Sequence, residues 1–185
     1  MTVVAASPSM PAALEGVDLP TTLQVNGTVL SINGAGVRAI SVFGFHFKIY
    51  VAGLYTATPL RSQDQALNTS GPLQMVFTFL RAVSHQKVKE AWERQLDASV
   101  SYSYAGYARD REAFIRMFGP TATGGTQVVQ FVGDDTIVHD QGLEKGVICG
   151  RHFQRAFLSM WFGEKAVAAD LMAGLLGSVS HAPPP

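Results

Sequence analysis

In the first half of the chain, apolar residues recur at every second position, which predicts β-strands. Residues 22–32 contain an Asn-Gly pair at positions 26–27 between two apolar runs, a pattern typical of a tight hairpin. Residues 37–55 are rich in bulky and β-branched side chains and have Gly44 as a candidate turn or bulge. Residues 73–79 alternate again and predict another strand.

The second half of the chain adds helical patterns. Ser84 is a candidate cap for a helix whose apolar residues fall on neighbouring faces. Strands followed by late helices predict an α+β fold, in which one face of an antiparallel sheet is covered by helices. A cavity between the two layers is then the natural ligand site. The remaining predicted elements are helices at 109–118, 151–162 and 164–176 and a hairpin formed by 126–132 and 136–139.

The composition is that of one globular domain without an electrostatic signature. The chain has 185 residues, of which 47% are hydrophobic, enough for a core without disulfides or metal. Lys plus Arg number 14 and Asp plus Glu number 14, so we expect no nucleic-acid partner. No apolar run reaches the roughly 18 residues of a membrane span, so we expect no transmembrane segment.

The ends of the chain differ in composition from the middle. Residues 1–14 lack the charged and apolar regions of an intact signal peptide, so we expect a disordered or processed segment there. Residues 15–178 form the predicted single domain. Residues 179–185 end in His-Ala-Pro-Pro-Pro and have too little apolar content to pack, which predicts a disordered tail.

Arg38 is the leading candidate for a functional residue because it interrupts an apolar, strand-forming run. An arginine stays protonated, so burying it requires an anion, a hydrogen-bonded network or a ligand. Two interpretations remain open at this point. Arg38 either pairs with an acidic side chain or reaches solvent, or it faces a pocket and binds a ligand.

Two other kinds of site are disfavoured by spacing. The G-A-G-V-R-A segment at 34–39 matches a dinucleotide fingerprint, but the residues after it are strand-like and no acidic residue comes about 20 positions later. The histidines do not form H-x-x-x-H or H-E-x-x-H pairs, and Cys149 is the only cysteine. We therefore expect neither a bound dinucleotide nor a metal site.

The segment G-A-G-V-R at 34–38, followed by F-K-I-Y-V-A-G-L-Y at 47–55, resembles the chalcone isomerase family. Plant enzymes of that family carry G-A-G-x-R before a strand similar to K-F-T-A-I-G-V-Y. Residues 84–96 resemble the family's central helix, and residues 146–164 resemble its late helix. The L-M-A-G-L-L-G segment at 171–177 looks most like the bacterial chalcone-isomerase-like branch. The resemblance implies a chalcone-isomerase-type open-faced sandwich over residues 15–178.

The resemblance also implies site residues. The family's arginine stabilises the enolate that forms when a chalcone closes to a flavanone, and Arg38 matches it. Tyr50 aligns with a threonine of the plant strand and is either a site hydroxyl or a core tyrosine. Ser84, Ala91 and Leu143 align near the polar residues that hold the substrate rings, which makes them ligand-binding candidates. Because these positions lack most of the plant polar groups, the phenols of a flavonoid would lose hydrogen-bond partners.

Two functions are implied by the resemblance. The first is a binding protein that holds an apolar molecule, such as a fatty acid or a flavonoid-like compound, with its anionic or carbonyl head at Arg38. The alternative is an active chalcone isomerase, an intramolecular lyase with Arg38 and Tyr50 as catalytic residues. In either case we expect no cofactor and a monomeric chain. By analogy with bacterial relatives, we expect a periplasmic or secreted protein.

Overall fold

The fold is an α+β sandwich, described for residues 12–98, 103–166 and 168–177 of a computed structural model. Five strands precede the first helix, and two helices close the described part of the chain. The strands are β1 (Ala12–Leu14), β2 (Val17–Leu19), β3 (Thr22–Val25), β4 (Thr28–Val42), β5 (Phe45–Thr56), β6 (Leu73–Phe79), β7 (Thr126–Val132), β8 (Asp135–Asp140) and β9 (Leu143–Cys149). The helices are α1 (Gln63–Leu67), α2 (His85–Ala98), α3 (Tyr107–Arg116), α4 (Arg151–Phe162) and α5 (Ala169–Leu175).

Strands β3 to β9 form one antiparallel sheet in sequence order, and β1 pairs with β2 in a separate hairpin. Consecutive strands are neighbours because each connection is a hairpin or a helical excursion that returns to the same edge. The turn between β3 and β4 places Asn26 and Gly27 at φ 46° and 77°, as a two-residue hairpin turn of the primed type requires. The predicted fold class, an antiparallel sheet covered by helices, is confirmed.

The main core lies between the sheet and the helices and is dominated by aromatic rings. Trp92 of α2 stacks on Phe118 with ring centroids 5.1 Å apart and meets Phe77 of β6 edge-on at 5.7 Å. Phe157 and Trp161 of α4 lie 4.8 Å apart on the same side of the sheet. The alternation of β6 and the helical spacing of α2 and α4 place these rings on facing surfaces, where they exclude water.

Two glycines of β4 allow α5 to lie directly on the sheet. A Cβ at Gly34 would overlap the carbonyl oxygen of Gly174 and would approach that of Leu175 to 2.6 Å. A Cβ at Gly36 would be 2.8 Å from the Leu171 side chain. The G-A-G segment is therefore a place where helix and strand backbones approach closely, within a continuous strand and not at the start of a helix.

Asn33 ties the end of α5 and the loop after β5 to β4. Its Nδ2 donates to the carbonyl oxygens of Leu60 and Leu175 at 2.9 and 2.8 Å. Its Oδ1 accepts from the Leu60 amide at 2.7 Å. Asn33 is only 8% exposed, so these three bonds satisfy backbone groups that water does not reach.

Several predicted boundaries need correction. Residues 146–149, assigned to the late helix, belong to β9, and α4 begins only at Arg151 after Gly150 with φ 105°. The helix predicted for 164–176 is shorter and begins at Ala169. Residues 12–14, expected in the N-terminal segment, form β1, whereas 1–11 and the predicted tail at 179–185 lie outside the described residues.

Candidate functional site

Arg38 and Tyr50 are directly opposite each other on β4 and β5. Arg38 follows Gly34 and Gly36 at two-residue intervals, so its side chain belongs to the sheet face that the helices cover. Its Nη1 donates to the carbonyl oxygen of Ala39 at 2.9 Å. Among the described residues no carboxylate forms an ion pair with this half-buried guanidinium.

The Tyr50 ring is enclosed by aromatic neighbours. Phe77 meets it edge-on at a centroid distance of 5.4 Å, and Phe79 lies 5.7 Å away. Burial raises the pKa of Tyr50 above its ordinary value, although the charge of Arg38 and the side chains of Gln95 and Trp161 act in the opposite direction. The phenol is therefore neutral at pH 7 and keeps its proton to donate.

Trp161 supplies a further donor beside the Tyr50 hydroxyl. The residue is 1% exposed, and its Nε1 is one of the buried side-chain atoms without a hydrogen-bond partner in the part of the chain that the structure describes. Its indole N–H acts on the Tyr50 hydroxyl as a hydrogen-bond donor and lowers the pKa of that phenol, although the contact falls short of full hydrogen-bond geometry. A buried N–H without a well-placed acceptor has a free-energy cost of up to about 1 to 3 kcal/mol, so it favours a closer acceptor. Arg38, Tyr50 and Trp161 thus present three donors and no carboxylate.

The space next to this polar cluster is filled by the aromatic core. The Phe77 ring lies 5.4 Å from that of Trp161. Two open surface grooves lie elsewhere, one lined by residues around 56–72 and the other by residues that include His85, Asp140 and Lys145. Neither groove is lined by Arg38 or Tyr50.

The other three candidate residues are not brought to the cluster. Ser84 is exposed before α2, where its Oγ accepts from the Lys87 amide at 3.4 Å. Ala91 lies on the solvent side of α2. Leu143 is 64% exposed on the edge strand β9, four strands away from β5. Neighbouring strands are about 4.8 Å apart, which separates β9 from β5 by roughly 19 Å along the sheet.

Gln95 and Trp161 are the members of the cluster that sequence reasoning did not select. Gln95 comes three residues after Trp92 and seven after Val88, both of which are buried, so it faces the sheet. A polar residue on the apolar side of an amphipathic helix is the available signal. Trp161 has no comparable signal because a tryptophan at helical spacing is typical of a core.

The described residues contain no group of three or more His, Cys, Asp or Glu side chains placed to hold a metal ion. Over the same ranges, no helix has the length and apolar character required to cross a membrane.

The fold and the cluster define a class: a helix-covered antiparallel sheet with an Arg–Tyr pair on its inner face. The chain belongs to the chalcone isomerase-like family, whose model matches residues 11–177. A crystal structure of an Arabidopsis thaliana fatty-acid binding protein has the same fold, with a TM-score of 0.73 at 13% identity over 94% of this chain and 96% of that chain. No curated protein matches the chain in sequence.

Proposed function

We propose that the protein binds a small apolar molecule whose anionic or carbonyl head meets Arg38. The observation that carries the proposal is the absence of an acidic partner for Arg38 among the described residues, next to a buried Trp161 N–H whose contact with Tyr50 falls short of hydrogen-bond geometry. Buried donors are normally satisfied, so this cluster has the hydrogen-bonding capacity for one acceptor group. In this proposal, the head group of the ligand is that acceptor.

The chemistry favours a head with negative charge. A guanidinium is a permanently charged, forked donor that fits the two oxygens of a carboxylate. The neutral Tyr50 hydroxyl adds a second donor, because burial raises its pKa. An apolar tail would pack against the rings that surround Tyr50, including Phe77 and Phe79. The site therefore suits a carboxylate at the end of an apolar body.

A long-chain fatty acid is the leading ligand within this class. The Arabidopsis protein of the same fold is described as a fatty-acid binding protein, and its likeness extends over nearly the whole of both chains. The transfer of that ligand to this chain rests on the polar cluster, since the two sequences are only 13% identical.

A second candidate function is ring closure of a chalcone. Arg38 and the neutral Tyr50 would donate to the oxygen on which charge develops when the enolate forms. This reaction needs no cofactor, because the substrate supplies both the nucleophile and the alkene. The exposed positions of Ser84, Ala91 and Leu143 weigh against it, since they leave the substrate's phenols without the polar contacts of the plant enzymes.

The test is a calorimetric titration of delipidated protein with palmitate and with oleate. We expect Arg38→Ala to weaken binding by about 10- to 100-fold, because it removes a charge-assisted hydrogen bond. Tyr50→Phe should weaken it by a few-fold. Arg94→Ala, an exposed arginine of α2 next to Gln95, is the matched control and should bind as the wild type does.

Equal affinity of the wild type and Arg38→Ala for fatty acids would contradict the proposal. In a parallel assay, absorbance of 2'-hydroxychalcone and naringenin chalcone is followed with the same variants and with buffer alone. Cyclisation above the buffer rate that disappears in Arg38→Ala would favour the enzyme instead.

Four finer predictions accompany the proposed function. The motif at 171–177 favours the bacterial branch of the family, and with it a periplasmic or secreted protein. The chain is proposed to act as a monomer without a cofactor. Sedimentation of the purified protein would test the monomeric state, and mass spectrometry of the native protein would test the absence of a cofactor.

A further inference from the structure

The β4–β5 hairpin continues beyond Arg38 and Tyr50 into a segment that the rest of the sheet does not cover. We call residues 39–48 the hairpin tip. Strand β6 pairs with β5 only from Tyr50 to Thr56, so the tip projects past its end. Within it, Ile40 pairs with Phe47 and Val42 pairs with Phe45.

The tip exposes large apolar side chains to a degree that folding does not require. Phe43 is 97% exposed and Phe45 is 70% exposed, while Val42 and Ile40 are 41% and 39% exposed. They are contiguous in the hairpin, and contiguous exposed apolar patches mark binding surfaces. Phe43 also has φ 50°, a left-handed conformation that bulky side chains rarely adopt, before Gly44 at φ 82°. A phenylalanine there serves neither the turn nor the core.

The two faces of the tip differ in chemistry. The pairing shifts by one residue after Arg38, and the extra residue, Ile49, lies on β5. Along β4 the alternation is unbroken, so Ile40 and Val42 lie on the sheet face that carries Arg38. The opposite face is polar. There, Ser41 Oγ lies 2.9 Å from His46 Nδ1, and Lys48 Nζ forms an ion pair with Glu15 at 2.8 Å.

The charge around the tip is mildly positive. Residues 38–48 contain Arg38 and Lys48 but no acidic residue, and Glu15 offsets the charge of Lys48. Arg81, which follows β6, places its guanidinium carbon 5.0 Å from the centre of the Phe47 ring and is itself exposed. The tip therefore has exposed apolar side chains at its end and basic side chains behind them. This arrangement is complementary to a membrane surface that contains anionic lipids, where each basic group near the surface adds attraction.

We propose that the hairpin tip inserts into the interface of an anionic phospholipid bilayer. Phe43 and Phe45 enter the boundary between head groups and acyl chains, while Arg81 and Lys48 remain at the level of the phosphates. A second copy of the chain is a poorer occupant, because joining two tips brings two sets of basic side chains together. The apolar face of the tip leads to Arg38, so a lipid carboxylate that leaves the bilayer would have a continuous apolar path to the site.

The test is flotation of the full chain with vesicles of phosphatidylcholine that contain about 30 mole per cent phosphatidylglycerol. We expect the wild type to float with these vesicles, with weaker binding in high salt and with phosphatidylcholine alone. Phe43→Ser combined with Phe45→Ser should reduce the partition coefficient by at least about tenfold, because two aromatic side chains are lost from the interface. Leu143→Ser, at an apolar residue 64% exposed on β9, is the matched control and should float like the wild type.

Failure of the wild type to float, or equal flotation of the double variant, would overturn the proposal. A concentration-dependent dimer in sedimentation that the double variant abolishes, without vesicle binding, would assign the tip to self-association and also overturn it. The outcome is separate from that of the proposed function. The double variant should bind palmitate in solution as the wild type does, whereas Arg38→Ala should bind palmitate about 10- to 100-fold more weakly but still float with the vesicles.

Discussion

The two halves of the β4–β5 hairpin are built from the same strands and the same alternation, yet one half is core and the other is surface. In the lower half, residues 33–38 and 50–56 lie against β6 and α5 and are buried or half-buried. In the hairpin tip, residues 39–48 have comparable apolar side chains that are largely exposed. The strand pattern alone therefore does not decide burial. Burial depends on whether a neighbouring element covers that stretch of the hairpin.

The size of the side chains on the covered face explains part of this difference. Gly34 and Gly36 leave room for the backbone of α5, whereas Ile40 and Val42 of the tip would hold a helix away. Helix α5 covers β4 only over the stretch that contains these glycines. Arg38 lies at that boundary, between the buried half and the open half, where a charged group reaches a ligand without complete desolvation.

The largest expected effect comes from filling the space that Gly34 leaves between β4 and α5. Gly34→Ala should destabilise the protein by about 3 kcal/mol or more, because the new Cβ meets backbone oxygens of α5 that have no flexible side chain to move. Gly44→Ala in the tip has open space around it and a cost of only about 1 kcal/mol for its left-handed backbone. Urea unfolding of both variants measures the difference. Equal destabilisation would contradict the role of α5 as the cover.

The next largest effect is expected at alkaline pH, where the buried half of the hairpin should contribute less to the free energy of unfolding. Burial raises the pKa of Tyr55 from 10.0 to about 12, so the folded state holds its proton more tightly than the unfolded chain does. Stability from this group is complete below pH 10 and falls between pH 10 and 12, by about 2 to 3 kcal/mol in total. Tyr50 acts in the same direction, because its pKa is also raised. Chemical unfolding at pH 9, 10.5 and 12 tests this, and Tyr55→Phe should flatten the decline.

Removing the hydrogen bonds by which Asn33 connects β4 to α5 and to the loop after β5 should lower the free energy of unfolding by slightly less. Asn33→Ala leaves the Leu60 amide and two carbonyl oxygens without their buried partner, a loss of about 2 kcal/mol. Hydrogen exchange should increase first in α5, since Leu175 is one of the released groups. Uniform exchange across the sheet, without preference for α5, would contradict this role.

The smallest effect is expected at the tip. Phe45→Ser should change the free energy of unfolding by no more than about 0.5 kcal/mol, because the side chain is already 70% exposed. Phe77→Ala, in the same sheet but 1% exposed, should cost about 3 to 5 kcal/mol. Thermal unfolding of the pair compares surface and core directly. A large loss for Phe45→Ser would mean that the tip is part of the folded core.

The sequence predicts local features of this fold better than distant ones. The Asn26-Gly27 turn and strand β6 are confirmed because turn chemistry and two-residue alternation act over a few positions. The helix predicted for 151–162 is confirmed as α4. The family resemblance, which placed 146–149 in the late helix, is wrong there because their pairing partner, β8, is required to define them as a strand. The C-terminal end of α5 likewise meets a residue distant in sequence, since Gly174 and Leu175 pack on Gly34.

For the site, Arg38 is indicated by its position in an apolar run, and its pairing with Tyr50 by the register of β4 and β5. Gln95 and Trp161 join them through the packing of α2 and α4 on the sheet. That proximity joins Tyr50 to residues 45 and 111 positions later in the chain, and no local pattern indicates it.

The central claim is that Arg38 binds the charged head of the ligand, and the ionisation of that head tests it most directly. Palmitate labelled with carbon-13 at the carboxyl carbon is bound to the protein, and its resonance is followed as the pH is lowered. An adjacent guanidinium favours the ionised form, so we expect the bound carboxyl group of the wild type to have a pKa about 1 to 3 units below that in Arg38→Ala. Identical titration in the two proteins, with palmitate bound to both, would contradict the account.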